Sequence, residues 1–562
     1  MELSIELVPP TLPTVAELRP GRQCLIGAVR DHCQVFALDT ATGRRRQVTH
    51  RAHGTMLADI TPDGDSIWWF DDDRAGVGRW LVQPWAGGPD AEALPGIAPG
   101  RFAGLAMTAD GVAVVGLSRA EGTDIYRCTR AGVVTTVRHC DGPREVIDIS
   151  PDGRLVASAS HAAVIVEDHA SAASWTLGDG QAALWAAGFG SSGELLLTRE
   201  VAGGYRLELW FEGESTVISE VFDTEISARW SPDGTVLIRQ DRHGRSRLLV
   251  LEPVSGHLAQ LPTPAGTILD AQTRPDGQTH YLWTDAQTPP RIRRTSGPTR
   301  PHEPPPHGLW IDDLHVLWQP PATGDGPWPT VFLLHGGPHQ HDRDAYDPAV
   351  ALATASGLAV ARVNYRGSSG YGPAWRNDFR AGVGSTQLHD LARAADALAA
   401  RGLADPRAGA VAGWSWGGYL ALLAAGRQPE RWRAVAAAYP VADYAQAYAT
   451  ATPQLQALDR RIFGGSPRDL PQRYAQASPR TFLDQIQAPL LILAGTEDPR
   501  CPIGPIREFS EGLTRRGGAV RLVETAAGHG VTSAQAGVDE LIEIVTFLAN
   551  HLSRRQIAAH VG

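Results

Sequence analysis

The run Gly413-Trp414-Ser415-Trp416-Gly417-Gly418 sets a serine between glycines two residues before it and two after it. This is the signature of a nucleophile elbow, an abrupt strand-to-helix turn that holds its apex serine strained and exposed. The glycines meet a steric need, since neighbouring backbone leaves no room for side chains at those places. Upstream, Ala408-Gly-Ala-Val-Ala-Gly413 reads as a short apolar strand, and downstream Tyr419-Leu-Ala-Leu-Leu-Ala-Ala425 is a strong helix former. In a chain with 60 glycines the five-residue pattern alone is weak, so its partners decide.

Three partners are present. His335-Gly336-Gly337-Pro338 follows the apolar run Thr330-Val-Phe-Leu-Leu334, where a hydrolase of this type places one oxyanion donor. Leu490-Leu-Ile-Leu-Ala-Gly495 runs into Thr496-Glu497-Asp498, an acid just past a strand. Val520-Arg-Leu-Val-Glu-Thr525 leads to Ala527-Gly528-His529-Gly530, a histidine on a loop before a final helix. The order Ser415, Asp498, His529 is that of α/β-hydrolases and differs from the orders of two other serine protease folds. Such a set performs acyl transfer. Ser415 is a poor nucleophile until His529 takes its proton, and Asp498 fixes the imidazole tautomer. No step requires a metal or another cofactor.

Composition excludes other chemistries. All 51 cationic residues are arginine, so a lysine Schiff base and a Walker A lysine are both ruled out. The net charge of −10 is spread along the chain without long basic runs, which argues against a nucleic-acid partner. Cys24, Cys33, Cys128, Cys140 and Cys501 are odd in number and lack C-x-x-C spacing, as expected in a reducing compartment. The first residues show no signal peptide, and no apolar run is long enough to span a membrane. The expectation is a cytoplasmic protein with no membrane partner.

The elements that must position these residues fall into two halves. Turn signals recur at Gly21, Gly64, Gly111, Gly153, Gly193, Gly234 and Gly277, most of them as Pro-Asp-Gly or a close variant, spaced 40 to 47 residues apart. Strand-like stretches flank each turn. Units of this length with four strands imply a β-propeller, here expected to have seven blades over residues 20–298 after an N-terminal segment 1–19. Ser296-Gly-Pro-Thr-Arg-Pro-His-Glu-Pro-Pro-Pro306 is a connector that cannot continue a sheet. From 299 to 562 strands and helices alternate, with helices expected over 385–401 and 503–516. The expected fold is therefore two-domain, an N-terminal all-β seven-bladed β-propeller plus a C-terminal α/β-hydrolase.

This combination resembles the prolyl oligopeptidase family of serine peptidases, and within it the acylaminoacyl-peptidase branch. The matching motifs are His335-Gly-Gly-Pro338, Asn364-Tyr-Arg-Gly-Ser-Ser-Gly-Tyr-Gly372, Gly413-Trp-Ser-Trp-Gly-Gly-Tyr419, Gly495-Thr-Glu-Asp-Pro-Arg-Cys-Pro502 and Gly528-His529. The resemblance implies hydrolysis of short peptides through Ser415, His529 and Asp498, with an oxyanion hole from the backbone N–H groups of Gly337 and Trp416. It implies a propeller that caps the site against folded chains. Substrate contacts are expected from Trp416, Tyr365 and Arg366. Two departures bear on substrate preference. Ser385-Thr386 stands where the family usually has a Gly-Gly pair, and the Glu-Glu pair that holds a free amine in the dipeptidyl-peptidase branch does not occur. The alternative keeps the triad but changes the substrate, to give an esterase, amidase or acyltransferase acting on a small metabolite. A non-catalytic propeller scaffold is the third reading, and the intact set of catalytic residues speaks against it. The expected partner is a short peptide or small acylated substrate; homo-oligomerisation is left open. His335, His339 and His341 invite a metal reading, but His335 belongs to the oxyanion motif and the set lacks full ligand spacing.

Overall fold

The computed structural model describes residues 11–130, 132–160, 163–180, 182–296, 307–531 and 533–552. The first residues of the chain and most of the proline-rich connector lie outside these, so the expectations placed on them have no structural counterpart here.

Strands between Thr14 and Arg294 form antiparallel meanders, as short connections between alternating strands require. Each of the seven turn signals joins the first two strands of one meander; Gly153, for example, lies between Glu145–Ile149 and Leu155–Ala159. Neighbouring meanders pack face to face. Leu155, Ala157, Val164 and Val166 share one apolar cluster with Leu184, Phe189, Leu195, Leu197 and Trp210 of the next sheet. The ends of the array meet where Arg274, at the turn of the last sheet, donates 2.8 Å to the Pro13 carbonyl. This is a β-propeller, but the expectation of seven separate four-stranded blades is corrected. The strands make six sheets. Five are built from four-stranded meanders, and one of these five has eight strands because Val77–Pro84 pairs with Gly100–Met107. The sixth sheet has three strands, Thr267–Thr273, Thr279–Asp285 and Thr288–Arg294. The fusion is local. It rests on two residue pairs, Val77 with Arg101 and Gly78 with Gly100.

The second half is an eight-stranded sheet. Its strands are β1 (Gly308–Ile311), β2 (Leu314–Gln319), β3 (Trp328–Leu334), β4 (Ala359–Asn364), β5 (Ala404–Trp414), β6 (Ala434–Ala438), β7 (Leu490–Gly495) and β8 (Val520–Thr525). Their spatial order is β1-β2-β4-β3-β5-β6-β7-β8, parallel from β4 to β8. Strands covered by helices on both faces need no alternation, and β6 (Ala-Val-Ala-Ala-Ala) and β7 are buried at every position. Helices Ser385–Ala400, Trp416–Arg427 and Ile503–Arg515 pack on one face, and Pro348–Ala355 and Ala534–Leu552 on the other. Gly384 precedes the first of these at φ 79°, and a Cβ there would collide with the Tyr419 hydroxyl. The steric demand falls on Gly384, so Ser385 and Thr386 are accommodated as helical residues. Among the described residues no helix is long and apolar enough to cross a membrane.

The halves are joined through a buried ion pair. Arg245 of the propeller donates 2.8 Å to Asp344, whose other oxygen accepts the Ala286 N–H at 3.0 Å.

Candidate active site

Ser415 stands between β5 and the helix Trp416–Arg427 with φ 55° and ψ −117°, a strained backbone for a non-glycine residue. Its own N–H donates 2.8 Å to Ala438 O at the end of β6. The elbow is tight enough that a Cβ on Gly417 would run into the Leu334 carbonyl, and one on Gly413 into Gly417. These contacts account for both glycines of the motif.

The residues that follow β7 and β8 complete the arrangement. His529 Nε2 lies 2.9 Å from Ser415 Oγ, and His529 Nδ1 lies 2.7 Å from Asp498 Oδ2. The other carboxylate oxygen of Asp498 accepts the N–H groups of Arg500 at 2.8 Å and Cys501 at 3.0 Å. A buried carboxylate so held can only present its remaining oxygen to the imidazole. With Nδ1–H donated to Asp498, Nε2 is left as the acceptor that faces the serine hydroxyl.

The Gly336-Gly337 turn at the end of β3 closes over the serine. A Cβ on Gly336 would lie 3.7 Å from Ser415 Cβ, and Gly337 has φ 129°, a conformation that favours glycine. Trp416 is the first residue of the helix, so its N–H is one of the donors a helix start leaves unpaired. His335 holds this turn rather than reacting. Its Nδ1 lies 2.8 Å from Gly336 O, its Nε2 lies 2.7 Å from Ser368 Oγ, and its ring stacks on Tyr365 at 4.2 Å. Burial lowers its pKa to about 4, so it stays neutral.

The expectation that Tyr365 and Arg366 meet substrate is corrected. Tyr365 is fully buried and its hydroxyl donates 2.7 Å to His335 O. Arg366 lies with Nε 2.9 Å from Asp390 Oδ2 and NH2 2.9 Å from Oδ1, while its backbone N–H reaches the same carboxylate. Both therefore fix the loop after β4. Asp390, fully buried on the helix Ser385–Ala400, is the residue sequence reasoning missed, because one acid on an amphipathic helix carries no signal. Trp416 also turns inward; its ring is buried edge-on to Tyr419 and Tyr444.

His335, His339 and His341 do not converge. Their Nδ1 atoms are directed to Gly336 O, Gly367 O and Ser369 Oγ, three separate partners. Ligating atoms gather instead at Asp498, Cys501 and His529, within 4.8 Å of one another. The Asp498 carboxylate and the His529 imidazole there already hold each other, and burial pushes the Cys501 thiol well up, so it remains protonated. Two propeller acids also reach the catalytic half. Glu225 accepts the Gly370 N–H at 2.5 Å and the Gly372 N–H at 3.3 Å, and Glu200 accepts from Asn377 at 2.9 Å and Arg376 at 3.3 Å. Both acids are thus engaged in joining the domains.

Comparison with known proteins follows the same division. Residues 345–555 match the prolyl oligopeptidase family. A rice (Oryza sativa subsp. japonica) acylamino-acid-releasing enzyme 2 is 31% identical over 238 residues, which cover 40% of this chain and 30% of that protein. The aligned stretch thus spans under a third of that relative's length. Two solved structures share the fold over nearly the whole chain. A Mycobacterium tuberculosis puromycin-hydrolyzing peptidase has a TM-score of 0.79 at 20% identity, covering 97% of this chain and 94% of that one. A Pyrococcus horikoshii acylaminoacyl peptidase has a TM-score of 0.74 at 16% identity, covering 97% and 96%.

Proposed function

We propose, on the premise that residues 345–555 match the prolyl oligopeptidase family, that the protein is a serine peptidase of short peptides. Ser415 is the nucleophile, His529 the general base and Asp498 the group that orients it. The observation that carries the reading is the imidazole poised between Ser415 at 2.9 Å and Asp498 at 2.7 Å. As Ser415 Oγ attacks the scissile carbonyl, its proton passes to Nε2, and Asp498 stabilises the imidazolium. Charge that develops on the carbonyl oxygen is met by the N–H groups of Gly337 and Trp416; losing one such donor typically costs about 2.7–4 kcal/mol. Nε2–H then protonates the leaving amine, and water releases the acyl group from Ser415.

Acylated amino acids at a peptide N-terminus are the substrate class we extend to this chain from the relatives named for releasing them. Glu200 and Glu225 are both spoken for, which favours this over capture of a free amine. The organisation is a segment 1–19, a propeller 20–298 that limits access, and a catalytic domain 299–562. Five free cysteines favour a cytoplasmic location.

The test is chromophore release from acetyl-alanyl, free alanyl, blocked glycyl-prolyl and simple ester substrates, side by side. Preference for acetyl-alanyl supports the reading. Ester turnover with negligible peptide rates would replace it with a small-molecule hydrolase.

A further inference from the structure

His529 borders a cavity of about 580 Å³ that no step above employs. One wall is the loop that carries the base, with Gly528, Gly530 and Val531; the other is the propeller, with Cys33, Met56 and Leu57. Two tethers frame it. Arg74 donates 3.0 Å to Ala526 O, and Ala534 N–H donates 3.2 Å to Asp31 O. The lining includes two large apolar side chains left open, Met56 at 58% exposure and Val531 at 38%. The carboxylates among the lining residues are Asp31, Asp72 and Asp73. Asp72 is paired with Arg51 at 2.9 Å, and Asp73 accepts the N–H groups of Ala75 and Val77.

Reaction geometry gives this cavity a side. The leaving amine takes its proton from His529 Nε2, so it must depart past the imidazole, whereas the acyl half stays with the Gly337 and Trp416 donors. Space next to His529 is therefore space for the leaving group. We propose that this cavity is the leaving-group subsite, that it takes an apolar residue on the C-terminal side of the scissile bond, and that the propeller builds half of it through Met56 and Leu57. Burying an apolar residue there removes both it and the open Met56 and Val531 surfaces from water, which drives binding. This inference rests on the serine peptidase reading.

Aminolysis of the acyl-enzyme reads the subsite directly. An added amine attacks the acyl carbon; the C–N bond forms as the bond to Ser415 Oγ breaks, and the amine proton returns through His529 to Oγ. The p-nitrophenyl ester of acetyl-alanine would be turned over with glycinamide or leucinamide present, and the amide product compared with the hydrolysis product. That ratio is internal to each sample and independent of how much enzyme is folded. Leucinamide should be used about tenfold better than glycinamide, since a few methylenes in a half-open apolar site are worth about that much. Met56→Asp, on the propeller wall, should abolish most of this preference. Equal use of the two amines, no amide product from either, or an unchanged preference in Met56→Asp would overturn the inference. Release of p-nitrophenol keeps the two levels apart. Release without acceptor preference defeats the subsite alone, whereas no release by the native protein defeats the serine hydrolase reading with it.

Discussion

The propeller and the catalytic half solve the burial of a sheet in opposite ways. In the propeller strands pair with their neighbours in sequence, apart from the one fusion of Val77–Pro84 with Gly100–Met107, and the apolar clusters join one meander to the next. In the catalytic half the strand order is crossed, and one sheet is covered by helices on both faces. A repeat made of local contacts has many equivalent turns and no privileged point. A crossed sheet has loops after β3, β5, β7 and β8 that all meet, which is why Ser415 and His529 touch across 114 positions. The difference teaches where chemistry can arise. The propeller contributes walls and tethers, and the crossed sheet carries the proposed reacting groups.

The largest test of that division is Ser415→Ala. It should abolish both turnover and labelling by a fluorophosphonate, with circular dichroism unchanged; residual labelling would put the chemistry on another serine. His529→Ala should lower kcat by several orders of magnitude, and Asp498→Asn by about 10⁴ if its role is to fix the tautomer. A loss within tenfold for His529→Ala would break the assignment of the base. No propeller substitution should approach these effects.

Next in size is removal of the propeller. A chain that begins at Leu309 should either precipitate or cut an unfolded protein as readily as a short acetylated peptide, while the full chain prefers the peptide steeply. Equal rates by the full chain would end the idea that the first half restricts access. Between these extremes lies the joint. Arg245→Ala leaves Asp344 buried without its partner, a change that typically costs about 3–5 kcal/mol. Thermal unfolding should show the loss, and an unchanged Tm would mean that the pair does not bind the halves.

The smallest effect sharpens the comparison at the interface itself. Burial lowers His341 to about 3 against 6.5 in the unfolded chain, with Arg343, Asp241, His335 and Arg239 around it. The unfolded state therefore binds this proton first, and stability is lost as pH falls below about 6.5. His341→Gln should reduce the drop in Tm between about pH 7 and about pH 5, by about 2–4 °C for each kcal/mol recovered. An equal drop in both proteins would show that other groups dominate the acid limb.

Much of this was legible in one dimension. The elbow, the Gly336-Gly337 turn and Asp498 each follow an apolar run that folds as a buried strand, and His529 follows the half-buried strand Val520–Thr525, so type, spacing and order sufficed. The seven turns were legible for the same reason, because Pro-Asp-Gly acts within four residues. Sheet count was not legible, since the fusion at Gly78 and Gly100 is a pairing between strands that local turns leave unconstrained. The roles of Tyr365 and Arg366 also escaped, because motif membership does not tell whether a side chain faces the substrate or the core.

The sequence by itself determined the proposed reacting groups and the elements that carry them, since backbone sterics and hydrophobic pattern are local. Only the tertiary structure decided that Asp390 and Tyr365 lock the loop after β4, that Glu225 and Asp344 join the halves, and that Met56 shares a cavity with His529. Each of these is a contact between distant segments, and its energy depends on distance and burial that no spacing along the chain encodes.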